Sequence, residues 1–257
     1  MSGNQSNPLN DEYLLSRAIS GASPNPVLLD YGCGQGRLVA LGLARKLDIY
    51  GVDTFEGNWE SWSRTLLPET SGRIGVIRDG HIPFGDRWFD VVISNQVFEH
   101  TATPRAAVAE IYRVLKPGGK FIAIFPHYGV WFEGHVGLYF AHWLARFPRL
   151  QYGYLRLCHK CGFGYYRDTA GVAGWAQLLK DVVFYHRRRT IERWWSDVFG
   201  HRPESMAHDW MVFRITASPR LRRLAPLAKM RWFAPFLATI CHLRAGLVIK
   251  AIKQPSP

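Results

Sequence analysis

At 257 residues, with 47% hydrophobic and 14% aromatic residues, the chain has the apolar content for a sizeable core, which excludes a disordered protein. Its four cysteines are scattered at Cys33, Cys158, Cys161 and Cys241, which excludes a disulfide scaffold and suits a reducing, cytoplasmic compartment. The formal charge of +12 is concentrated late in the chain, where no Asp or Glu follows Asp209. It points to an anionic partner: a membrane surface, a nucleic acid or an acidic substrate.

The opening MSGNQSNPLNDEYLL lacks the basic-then-apolar pattern of a secretory signal. Residues 9–20 read as a short helix, broken by SPNP (23–26). VLLDYG (27–32), an apolar run ended by glycine, predicts a buried strand, and GRLVALGLARKL (36–47) has helical periodicity. IYGVD (49–53), GRIGVIRD (72–79) and FDVVISN (89–95) predict three more strands, the second of them weak. Residues 104–115 predict an amphipathic helix; PGG (117–119) stops it and KFIAIF (120–125) is a fifth strand. This alternation predicts an α/β fold, a Rossmann-like parallel sheet with helices on both faces over residues 1–125. Ligands of such a sheet sit at the carboxyl ends of the strands. Residues 126–217 read as an aromatic-rich inserted lobe with helices at 136–147, 174–186 and 190–199. A strand at WMVFRIT (210–216) is expected to return to the sheet. Residues 218–257 read as a basic amphipathic C-terminal segment interrupted by Pro226 and Pro235.

LLDYGCGQGRL (28–38) carries the first chemistry. Glycine admits positive φ and close backbone approach, and the helix starting near Arg37 turns its first amides toward a ligand. The dinucleotide fingerprint is G-x-G-x-x-G. Here the spacing is G-x-G-x-G with Asp30 two residues earlier, an acid that would repel a pyrophosphate and tolerate a sulfonium or ammonium. With IYGVD, Asp79-Gly80, IPFGDRWFDVVISNQVFEH (82–100) and LKPGGKFIAIF (115–125) following in order, residues 26–126 resemble class I S-adenosylmethionine-dependent methyltransferases. The resemblance implies S-adenosylmethionine as cofactor. It puts Asp30, Gly32, Gly34 and Gly36 against the methionine part, Asp53 on the ribose hydroxyls, and Asp79 and Gly80 near the adenine. Asn95 and Gln96 then line the cleft. Asp90 reads as a structural strand start, and Glu99-His100 as a pair orienting the next helix.

The acceptor is less legible, because fold does not fix substrate. An oxygen acceptor must lose its proton, and histidine is the usual base; His127, just after the fifth strand, and His135 are the candidates. FEGHVGLYFAHWL (132–144) also resembles small bacterial methyltransferases of cell-surface polysaccharide and glycolipid synthesis. That implies a glycan or glycolipid acceptor, O-methylated at a sugar hydroxyl beside an anionic membrane. A quinone-like small molecule, an RNA, or a non-catalytic membrane-binding module keeping the fold remain the alternatives. His186-Arg187-Arg188-Arg189 before Trp194-Trp195 suits nucleic acid, but the absence of a recognisable RNA-binding module disfavours it. Cys158-His159-Lys160-Cys161 resembles half a zinc knuckle without its second C-x-x-C, and no metal site is assigned. The uncharged run 232–243 is too short to span a bilayer and fits either a monotopic membrane contact or a docked helical hairpin.

Overall fold

A computed structural model describes residues 8–55, 66–181 and 183–255; residues 1–7, the first part of the stretch read as lacking a signal, lie outside them. The strands are β1 (Val27–Tyr31), β2 (Asp48–Asp53), β3 (Ile74–Val76), β4 (Phe89–Asn95), β5 (Leu115–Phe125), β6 (Phe132–Glu133), β7 (Leu138–Tyr139), β8 (Glu204–Ser205) and β9 (Leu247–Ile252). The helices are α1 (Pro8–Ile19), α2 (Arg37–Ala44), α3 (Pro104–Val114), α4 (Pro148–Lys160), α5 (Arg167–Asp181), α6 (Arg188–Phe199), α7 (Ala207–Ala217), α8 (Ala225–Ala228) and α9 (Ala234–Arg244).

Seven strands form one sheet in the order β3-β2-β1-β4-β5-β9-β8. β1 to β5 run parallel, and β9 is antiparallel to both β5 and β8. The order reverses between β1 and β4, which places the ligand crevice at the carboxyl ends of those two strands. Strands covered on both faces should read as continuous apolar runs, and Leu28, Leu29, Val91, Val92 and Ile93 are all buried. Asp90 breaks the run for a structural reason: its Oδ2 accepts the Val27 amide at 2.9 Å and pairs with Lys116 at 2.7 Å. The PGG stretch is a bulge inside β5, since Phe89 pairs with Leu115 but Val91 pairs with Lys120.

The aromatic α6 packs on one face of the sheet, with Trp195 fully buried and stacked on Phe121 and Phe125. Helix α1 covers the other face through Tyr13, Leu14 and Leu15, alongside Trp210 of α7. The β6–β7 hairpin, α4 and α5 enclose a small separate core of Val136, Leu138, Leu155 and Trp175.

Three expectations are corrected. WMVFRIT is helical: in α7 Ala207 and Trp210 are buried in the core beneath α1, and Ile215 in a second cluster with Ala225, Ala228 and Leu237, so tertiary packing overrides a β-rich composition. Residues 136–147 form β7 and a single 3-10 stretch (Ala141–Arg146) instead of a helix, and the helix comes later, at Pro148–Lys160. The return to the sheet is made by β8 and β9. LVIKAI lies within the segment expected to be a basic tail, yet it pairs along β5 from Phe125 to Lys120. Some of the tail's charge is structural too: Lys253 Nζ is buried and donates to the carbonyls of Tyr112 and Leu115 at 2.7 and 2.8 Å.

Candidate active site

The glycine loop follows β1. Gly32 has φ 79°, and a Cβ there would lie 2.3 Å from Val97 Cγ2. Gly34 has φ 51° with open space where its Cβ would be. The first position needs glycine for packing, the second for a bare backbone facing the cleft. The Asp53 carboxylate, ending β2, holds the loop by accepting the Gly34 amide at 2.8 Å, and also accepts the Thr54 amide at 2.8 Å. Gly36 caps α2 at φ 84°.

Three acids converge here. Asp30 is buried, and burial together with Asp11 and Asp53 pushes its carboxyl well above the usual range. Asp11 comes from α1, which sequence reasoning treated only as an opening helix. It pairs with Arg37 at 2.5 Å and accepts from Asn95 Nδ2 at 2.8 Å, and burial pushes it up to about 6. Crowded carboxylates opposed by one arginine are a setting for a cation. The donor set and the bare backbone at Gly34 therefore fit S-adenosylmethionine, whose methionine end carries an ammonium and a sulfonium. Asp79 (φ 51°) and Gly80 (φ 75°) lie in an exposed turn just after β3, closed by the Arg78–His81 bridge.

Asn95 ends β4, and Gln96 (φ 58°), the next residue, opens onto a cavity of about 450 Å³. The walls bring together Asn10 of α1, Phe132 and His135 of the hairpin region, Tyr185, Trp210 and Arg214 of α7, and Arg244 of α9. Arg214 lies over the Trp210 ring at 4.8 Å, and among the described residues no carboxylate pairs with it. Arg244 donates to the Tyr139 hydroxyl at 2.6 Å and sits over Phe132 at 5.7 Å.

The two candidate bases part company. His127 does not line this cavity. Its Nδ1 accepts the Gly129 amide at 3.0 Å, and burial pushes it down to about 4, a neutral imidazole in a turn. His135 lines the cavity and belongs to a cluster: its Nδ1 lies 2.6 Å from Glu133 Oε1 and its Nε2 3.2 Å from His100 Nε2. Glu133 is buried and also accepts the Val136 amide at 2.7 Å and the Tyr185 hydroxyl at 2.9 Å. Burial works against its charge, but the contacts with His135, the Val136 amide and the Tyr185 hydroxyl together outweigh it and hold the carboxyl low. Glu99, read from sequence as a helix-orienting residue, is 1% exposed with no hydrogen bond to either carboxylate oxygen; burial pushes it up to about 8. The F-E-H signal was visible, but nothing local announced that a residue 35 positions later would meet it.

The remaining signals resolve differently. Cys158 is buried and Cys161 exposed at the end of α4. Neither belongs to a metal-capable group among the described residues, and His159 bonds the Arg167 carbonyl. Trp195 is core and Trp194 packs on His186 at 4.7 Å, so the aromatic half of the nucleic-acid pattern is spent on packing. No helix among the described residues is long and apolar enough to cross a membrane. Exposed Leu221, Leu224, Met230, Trp232 and Phe236 share the α8–α9 region with Arg222, Arg223 and Arg231.

Strand order, the one strand of the sheet, β9, that runs against its neighbours, and the glycine-acid loop at the switch point define a Rossmann-like class I methyltransferase fold. Residues 29–123 match the family model described as a methyltransferase domain. The chain is 34% identical over 107 residues to a demethylmenaquinone methyltransferase of Symbiobacterium thermophilum, covering 39% of this chain and 43% of that protein. It is 34% identical over 139 residues to an uncharacterized methyltransferase of Mycolicibacterium gilvum, covering 51% of each. The chain thus spans about half or less of the length of these relatives. Among solved structures, phosphoethanolamine N-methyltransferase 2 of Haemonchus contortus with S-adenosyl-L-methionine aligns over 96% of this chain and 52% of that one, with TM-score 0.50 and 17% identity, a likeness of fold.

Proposed function

We propose that the protein is an S-adenosylmethionine-dependent methyltransferase that O-methylates a sugar hydroxyl of a glycan or glycolipid carried on an anionic group at a membrane surface. The observation that carries this reading is the cavity joining the end of β4 to the Glu133–His135 pair, with Arg214 and Arg244 on its wall. Asp30, Gly32, Gly34, Gly36 and Asp53 would hold the cofactor, with Asp79, Gly80, Asn95 and Gln96 around it. When bound, it supplies an electrophilic methyl on a sulfonium. The chain's own part is alignment and removal of the acceptor proton, for which the imidazole–carboxylate cluster on the cavity wall is the means. Phe132, Tyr185 and Trp210 offer ring faces to a sugar, and the two arginines suit a phosphate or pyrophosphate. The exposed apolar and basic side chains of residues 220–236 suit the headgroup layer of an anionic bilayer.

A quinone-type ring is the second reading, favoured by the demethylmenaquinone methyltransferase relative. Incubation of the purified chain with labelled S-adenosylmethionine and lipid-linked glycans, free sugars or a demethylated quinone decides between them. Label in the lipid-linked glycan is expected. Label confined to the quinone or to a free small molecule overturns the glycan reading.

A further inference from the structure

We infer that Glu99, His100 and His135 form a binding site for one divalent transition-metal ion, zinc or manganese in character, on the wall of the acceptor cavity. One ligand atom from each lies within 4.8 Å of the others, the only such group among the described residues. The two imidazole Nε2 atoms are 3.2 Å apart, and His100 Nε2 is 4.0 Å from Glu99 Oε1. Two nitrogens each about 2.05 Å from a tetrahedral zinc stand about 3.3 Å apart, so the imidazoles already have the spacing of an edge of that tetrahedron.

Three further features point the same way. Glu99 is a buried carboxylate with no hydrogen-bond donor to either oxygen. Such a group is costly unless something positive meets it, and among the described residues no Lys or Arg makes an ion pair with it. Second, Glu133 sits on the far side of His135. Its contact with Nδ1 at 2.6 Å lets Nδ1 carry the proton and turns the Nε2 lone pair toward His100. That is the carboxylate–histidine–metal arrangement in which an outer acid fixes tautomer and ring orientation. Glu133 is itself pinned by Val136 and Tyr185, so the orienting residue is not free to swing in as a ligand. Third, His135 lines the cavity. With three protein ligands, the remaining coordination position opens toward the acceptor, as in catalytic rather than structural sites. Nitrogen and carboxylate oxygen without thiolate suit zinc, manganese or iron.

This inference deepens the proposed function and rests on it only for the ion's role. With the ion bound, His135 would serve as a ligand instead of a base, and the ion would supply the Lewis acidity that lets an acceptor hydroxyl give its proton to cavity water as the methyl leaves sulfur for oxygen. The site itself stands without that step.

The test uses the full chain, stripped with chelator, dialysed, and titrated calorimetrically with zinc chloride and separately with manganese chloride. One ion per chain is expected. Glu99→Gln and His100→Asn should each bind at least about tenfold more weakly, and Glu133→Gln roughly 10–100-fold more weakly through lost orientation. The Cys158→Ser/Cys161→Ser double variant should bind like wild type. Cobalt substitution gives a second readout: visible d–d absorption without thiolate charge transfer. Thermal melts establish that each variant is folded. The inference is overturned if folded wild type takes up neither ion, if the Glu99 and His100 variants bind undiminished, or if binding disappears in the cysteine double variant. S-adenosylmethionine titrated into metal-free and metal-loaded protein separates the two proposals: no cofactor binding in either form sinks the methyltransferase reading and leaves the ion site standing.

Discussion

The Asp53 carboxylate accepts the backbone amide of Gly34 at 2.8 Å, so the acid that ends β2 also braces the glycine loop after β1. Replacing Asp53 by Ala removes a proposed ribose partner and the brace together. Calorimetric titration with S-adenosylmethionine should show affinity falling by at least tenfold, about 1.4 kcal/mol or more. Unchanged affinity in the folded variant would place the cofactor elsewhere.

Gly32→Ala tests the packing side of the same loop. The new methyl would overlap Val97, at a backbone φ of 79°. Overpacking and strain should cost roughly 1–3 kcal/mol in denaturant unfolding and weaken cofactor binding. Gly34→Ala meets no neighbour; its cost in stability should be smaller than that of Gly32→Ala while its effect on cofactor affinity is as large.

Asp11 gives a pH signature. It faces Arg37 of α2, Asn95 of β4 and Glu12 on its own helix, and raises Asp30 of β1. Burial pushes the native carboxyl up to about 6 from the 3.8 of an exposed aspartate. Between those values the folded chain binds more protons than the unfolded one, so cofactor-free stability falls as pH rises through that window. Denaturant melts across it should show the decline, flattened in Asp11→Asn but retaining the contribution of Asp30. A slope equal to wild type in that variant would rule Asp11 out as its source.

The two arginines of the cavity should separate acceptor from cofactor. Arg214→Ala and Arg244→Ala are expected to raise KM for an acceptor bearing phosphate by roughly tenfold or more, since a charge-assisted bond is worth about 1.5–3 kcal/mol. S-adenosylmethionine affinity should stay as in wild type. An equal loss for phosphorylated and neutral acceptors would show that the arginines do not read charge.

Flotation with anionic vesicles examines the α8–α9 surface. Trp232 is 69% exposed, and Trp232→Ala with Arg222 and Arg231 changed to Ala should abolish co-flotation without altering the melt. Wild type that stays with the soluble fraction at low salt would remove the membrane contact.

What the sequence disclosed follows the range over which each feature is encoded. The first five strands, α3 and the glycine-acid loop are local patterns, and each lies within a residue or two of its expected place, apart from a shorter β3 and a β5 that begins five residues early, at Leu115, and takes in the PGG read as a helix stop. The lobe and the last third were harder. WMVFRIT looks like a strand because Val, Phe, Ile and Thr favour one, and becomes a helix because Trp210 and Ile215 have cores to fill. LVIKAI is masked by Lys250 within it and Lys253 just after it, whose charges are partly structural. At the site, His135 was legible from its motif. Asp11, Glu99 and Tyr185 were not, because their meaning comes from partners 52 to 84 residues away or from burial alone.

The placement of β9 between β5 and β8 has a consequence for biosynthesis. Residues 247–252 leave the ribosome after every other strand of the sheet. Until then β5 presents an unpaired edge of alternating Phe121, Ala123 and Phe125, a template for pairing with a neighbouring chain. The nascent protein thus passes through a stage in which its half-built sheet is sticky on one side, and a chaperone bound to that edge would shield it until the last strand arrives.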